Sequence, residues 1–174
     1  MKRIRATIWK IIVVAGVGLL SYCAWAIWIV ISDSRPMSMP VPLVVGKVIS
    51  PTFKVHSDKD YLISIEAKRR LLPETLDCMM GISTGPLDPY NCKNGKEPLI
   101  QANWILWSDG QIVDRGFSED DNGRGGWTGD TVLRYIGAFE GQRGRKYTLE
   151  VNFVKDASAL AVTDPHLNVD GPIW

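Results

Sequence analysis

Twenty-two consecutive residues without a charge, Ile11 to Ser32, divide this chain of 174 residues into a short basic start and a long polar remainder. At about 1.5 Å rise per residue, such a run reaches roughly 33 Å as a helix, enough to cross a hydrocarbon core of about 30 Å. It contains no proline, so a helix can satisfy every backbone group internally. Lys2, Arg3, Arg5 and Lys10 precede it, and basic flanks stay on the cytoplasmic side. Trp9 and Trp28 suit interfacial belts at its two ends. The chain therefore reads as a cytoplasmic tail (residues 1–10), a single transmembrane helix (11–32), a proline-rich spacer (33–42) and an extracytoplasmic domain (43–174). The expected location is the inner (cytoplasmic) membrane, N-terminus inside and C-terminal domain periplasmic, with membrane lipid around the helix.

Two other readings of the run fit less well. A cleaved signal peptide needs a shorter apolar region and a better processing site than Ser32-Asp33-Ser34. Leu20-Ser21-Tyr22-Cys23 approaches a lipid-attachment pattern, but Tyr22 stands where a small residue belongs. The span has no ionisable side chain, which argues for a tether and against an ion path.

Beyond Ser32 there are 16 basic and 19 acidic residues, a formal charge of −3 hidden by the near-neutral total. A mildly acidic domain without a clustered basic face is a poor nucleic-acid binder, so no nucleic-acid partner is expected. Lys68-Arg69-Arg70 and Arg143-Arg145-Lys146 read as solvated strand ends or turns. Cys23 lies in the apolar run, leaving Cys78 and Cys92 as an outer pair. An even count in an oxidising compartment favours a disulfide, worth about 3 kcal/mol for a loop of about 15 residues. Two free thiols are the rival reading, and the lack of a nearby histidine weighs against zinc.

The outer part reads as all-β. Three prolines in seven residues (Pro36, Pro40, Pro42) predict an extended, semi-rigid spacer. Leu43 to Ile49 is apolar and β-branched, and Tyr61, Ile63 and Ile65 alternate with Leu62, Ser64 and Glu66. Trp104 to Trp107 and Gln111 to Val113 flank Asp109-Gly110, a pair suited to the positive φ values of a tight hairpin. Tyr147, Leu149, Val151 and Phe153 share one face, with Thr148, Glu150 and Asn152 on the other, as in a strand with one side buried. Thr131 to Phe139 and Leu160 to Val169 are further strand candidates, the latter broken by Pro165, and Leu71 to Met80 suits a short helix. The pattern predicts an antiparallel β-sandwich. Ser83 to Pro98 and Ser118 to Asp130 read as long loops, where function concentrates.

The chemistry is sparse. Glu119, Asp120, Asp121 and Asn122 could offer oxygens to calcium, but matching an EF-hand through Gly123 puts Ser118 and Gly129 at required ligand positions. A solvated acidic turn is the better reading. Trp127 stands among glycines beside that cluster and could anchor a partner, stack on a sugar or fold back over the sandwich edge. Of Trp104 and Trp107, on opposite faces, one is expected in the core. His56 and His166 lie in no metal-ligand or nucleophile signature, and no catalytic motif is present, so neither an enzyme nor a cofactor is expected.

The stretch from Gly126-Trp-Thr-Gly-Asp130 onward carries a resemblance. A Phe139-Glu-Gly141 turn precedes Gly144-Arg-Lys-Tyr147 and its strand, and Pro165-His-Leu-Asn-Val169 closes the sheet. This resembles small uncharacterised membrane-anchored or lipoprotein-type β-sandwich proteins of proteobacteria, some suspected as immunity partners of secreted toxins. The resemblance covers about 50 residues, and its motif positions are structural. The chain as a whole reads as a non-enzymatic, membrane-tethered module that engages another protein through the two loops and any exposed tryptophan. The resemblance implies its most specific version, an immunity protein. A ligand- or carbohydrate-binding sensor, calcium-dependent in one form, and an accessory subunit of an envelope assembly are the alternatives.

Overall fold

The computed structural model describes residues 15–25, 35–82, 99–118 and 125–171. The chain divides into two compact units, Met1–Ser34 and Arg35–Trp174. In the first, residues 15–25 are helical and exposed. No helix among the described residues is long and apolar enough to cross a membrane. The rest of the expected span lies outside the described residues.

In the second unit, antiparallel strands form two sheets around one core. One five-stranded sheet runs β1 (Met37–Pro40), β10 (His166–Asp170), β4 (Asp60–Lys68), β8 (Thr131–Glu140) and β7 (Gly125–Thr128). The second sheet, also of five strands, runs β2 (Gly46–Ile49), β9 (Lys146–Phe153), β5 (Ala102–Ser108) and β6 (Gln111–Ser118), with the short β3 (Phe53–Lys54) off this path on β9. The all-β reading and the two-sheet, sandwich-like arrangement are therefore present. The alternation in β9 does what its pattern demands, because Tyr147, Leu149, Val151 and Phe153 are all buried. At the β5–β6 turn, Asp109 and Gly110 both take positive φ, 52° and 76°.

One end of the core is aromatic: Phe139 packs with Phe53, Tyr61 and Tyr147 at centroid separations of 6.4, 5.6 and 5.4 Å. Trp104 fills the middle and is the core tryptophan of its strand. Its indole lies so close to two backbones that a Cβ on Gly137 would fall 2.3 Å from Nε1, and one on Gly116 2.7 Å from Cε2. The β4–β8 register slips beside Gly137, leaving Ile136 as an extra residue. This bulge and the missing side chain together admit the ring.

Three expectations change. The spacer at 33–42 is not separate: Met37–Pro40 pair with Val169–His166 as an edge strand, with Met37 and Val41 buried. Apolar Met37, Met39, Val41 and Leu43 alternate with Ser38, Pro40 and Pro42, and an edge strand tolerates proline. The loop expected at Ser118–Asp130 ends early, because β7 begins at Gly125, while 119–124 lie outside the described residues. Leu160–Val169 is not one strand but a 3-10 helix (Ser158–Thr163), a left-handed Asp164 (φ 53°) and then β10.

The expected helix spans Pro73–Met80 (α1). Proline opens it, where a missing N–H is harmless, and left-handed Gly81 (φ 72°) closes it. There the Gly81 and Ile82 N–H groups donate to the Cys78 and Asp77 carbonyls, satisfying the final turn. Buried Arg134 donates to the Gly81 carbonyl, bringing positive charge to the negative end of the helix.

Candidate functional site

The alternation of β7 and β8 places Trp127 beside Val132 in register, on the side facing α1. Val132 is buried, but β7 ends the sheet, so Trp127 is 59% exposed. Two groups flank its ring. The Asp77 carboxylate of α1 lies beside the indole, near enough for Trp127 to favour its ionised form, and the Arg69 guanidinium carbon sits 5.9 Å from the ring centroid. Arg69 is placed by its own backbone, whose N–H donates to the Asp130 carbonyl at the β7–β8 turn.

These groups border an open pocket of about 280 Å³, completed by Pro73, Leu76 and Val132. Asp77 is a buried carboxylate at its wall. Burial pushes its pKa above the ordinary 3.8, against the downward pull of Trp127 and the Arg69 charge. An aromatic face, a guanidinium and a buried carboxylate around an apolar floor can seat a partner's side chain or a polar ring.

A second pocket of about 280 Å³ lies on the outer face of the β1–β10–β4–β8–β7 sheet, and its charges are paired with one another. Arg35 donates to Glu66 at 2.7 Å and to Asp170 at 2.9 Å. Asn168 donates to the same Glu66 oxygen, and Ser64 to Asp170. Lys68 pairs with Asp164 and holds that carboxyl below the ordinary range. His166 opens β10, its Nδ1 2.9 Å from the Asp164 carbonyl oxygen. Burial, then the Asp170 charge, push the Tyr135 hydroxyl up.

Of the residues singled out in sequence, Trp127 is brought into a site. Glu119, Asp120, Asp121 and Asn122 lie outside the described residues, as does Cys92, the expected partner of Cys78. Cys78 itself is buried on α1, and Cys23 is free and exposed. Among the described residues no cluster of His, Cys, Asp or Glu could hold a metal. Arg69 and Asp77 were not legible as site residues. A signal for Asp77 existed: Pro73, Leu76, Asp77 and Met80 follow helical spacing, so one carboxylate interrupts an apolar stripe. Arg69 carried none, since its basic neighbours Lys68 and Arg70 turn to Asp164 and Val162.

No family model matches the chain, and no curated protein matches it. Among solved structures it is similar to a protein from Sulfurospirillum deleyianum whose crystal structure is known, at a TM-score of 0.53 and 12% identity. The match covers 80% of this chain and 99% of that one. A likeness at that identity concerns the fold alone.

Proposed function

We propose that this chain is a non-enzymatic, membrane-tethered protein-binding module of the periplasm, whose partner docks over Trp127. The observation that carries the reading is an exposed tryptophan flanked by Asp77 and Arg69 beside an open pocket. A large exposed aromatic beside a pocket offers much apolar area to a partner, and tryptophan is favoured among interface anchors. The tether is the apolar run 11–32, and only Asp33 and Ser34 separate it from Arg35. A Cys78–Cys92 disulfide belongs to the same reading, since it requires the oxidising side of the membrane. An immunity protein against a secreted toxin is the most specific version and rests on the family resemblance alone.

Crosslinking in cells followed by detergent purification of the full chain should recover one dominant partner. Trp127→Ala should weaken that complex by about 2 kcal/mol without lowering thermal stability. Recovery of the same partner at unchanged affinity would remove Trp127 from the interface.

The same pocket gives a second reading some support. A tryptophan face with a carboxylate acceptor and a guanidinium donor also suits a sugar ring, as in a carbohydrate-binding sensor. Thermal melts with a glycan panel, with calcium and with EDTA separate the two, because a ligand of the folded state raises apparent stability. Flat melts across the panel exclude the sensor.

A further inference from the structure

The outer face of the second sheet, β2–β9–β5–β6 with β3, is unlike the rest of the domain. Register and burial define it, because cross-strand partners share a face and the core side of β9 is known. Its middle rows are Ile49, Glu150, Ile105 and Arg115, then Thr148, Trp107 and Ile112. Phe117 extends the apolar surface on β6, in register with Asn103. Ile49, Ile112 and Phe117 are 57%, 48% and 50% exposed. Half-buried Ile105 and Trp107 lie between them, so the face is apolar across its middle strands, interrupted by Glu150 and Arg115. Apolar surface on an outer sheet face marks one that meets something.

The charges on this face are one-sided. Lys47 stands at one corner, Lys54 and Lys146 face each other at the opposite end, and Arg115 lies on the edge strand. Glu150 is the one carboxylate in these rows and is paired with Lys47 at 2.8 Å. The face is thus formally +3, on a chain that is −3 beyond residue 32. Both pockets described above are lined by other elements, so this face offers a sheet surface with cations at its margins and apolar groups between them.

We propose that this face lies on an anionic phospholipid surface, with Ile49, Ile112 and Phe117 entering the headgroup region and the basic residues meeting phosphates. A bilayer presents negative charge over an apolar interior and requires no shape-matched pocket. Lysine suits this arrangement, because its stem can lie along apolar surface while the ammonium reaches outward. The proposal is independent of the transmembrane tether and of Trp127.

Residues 35–174 form their own compact unit and contain the whole described core, so this fragment serves for the test. It is floated with phosphatidylcholine vesicles, with and without about a quarter phosphatidylglycerol. We expect binding only to the anionic vesicles, weakened by salt. The pair Lys54→Glu and Lys146→Glu turns the face from +3 to −1 and should weaken binding by at least about tenfold, as should Phe117→Ser. Trp127→Ala should leave it unchanged. All these positions point to solvent, and thermal melts check that each variant is folded. No flotation at low salt, or flotation indifferent to these substitutions, overturns the proposal. So does a dimer in sedimentation that Phe117→Ser dissociates while wild type ignores vesicles, since the occupant is then a second copy.

Discussion

The two sheets present opposite outer faces. On the β1–β10–β4–β8–β7 sheet, Arg35, Glu66, Asp170, Ser64 and Asn168 hydrogen-bond to one another, although the buried Asn168 Oδ1 finds no partner among the described residues, and the side chains of Glu66 and Asp170 are only 17% exposed. On the β2–β9–β5–β6 sheet with β3, isoleucines and a phenylalanine stand in solvent among cations with one carboxylate between them. A face whose polar groups find partners internally contributes to folding. A face left apolar and one-sided in charge gains little from folding, because its side chains stay in water. Paired polar groups thus gather on one side of the molecule and exposed apolar side chains on the other, with Trp127 at a third place, the sheet edge.

The shared core sets the scale against which either face is measured. Gly137→Ala should destabilise the unit by about 3 kcal/mol, because the new Cβ meets the Trp104 indole and neither bulge nor ring can yield. Chemical denaturation measures it, and a loss below about 1 kcal/mol would mean that the ring is free to move. Next in size, Arg35→Ala leaves two mostly covered carboxylates without their cation and should cost about 1 to 2 kcal/mol. Phe117→Ser on the opposite face should stay within about 0.5 kcal/mol. Equal losses at both positions would erase the contrast between the faces.

The smallest effects are in pH dependence, and their signs differ. Asp164, lowered by its Lys68 hydrogen bond, contributes stability above its ordinary value of 3.8 that is lost as pH falls through the depressed pKa. Lys68→Met should therefore flatten the acid limb of stability below pH 3.8. Asp77, raised by burial, binds its proton more tightly when folded, so its contribution is present below 3.8 and is lost as pH rises through the raised pKa. Asp77→Asn should remove that counterweight and steepen the loss on acidification just above pH 3.8. Denaturation curves at a series of pH values check both signs.

Much of the strand framework was legible because period-two burial writes itself into sequence. β9, β4 and the β5–β6 hairpin follow from alternation and from Asp109-Gly110. β1 was legible in the same way, but three prolines pointed to a spacer, and only its pairing with β10 distinguishes an edge strand from an extended linker. Of the site, Trp127 stood out by residue type, whereas Asp77 and Arg69 acquire meaning only through proximity. They come from α1 and from the end of β4, 50 and 58 positions before Trp127 in the chain.

Local rules therefore determined the strand-forming stretches, the tight turn, the short helix with its glycine stop, and the separation of an uncharged run from a polar remainder. Each depends on residues within a few positions of one another, where sterics and periodicity act directly. Tertiary structure decided which strands are edges, where Gly137 lets Trp104 in, which charges cancel, and which apolar side chains stay outside. Those outcomes depend on contacts between residues far apart in sequence, and no local pattern encodes which distant backbone will arrive beside them.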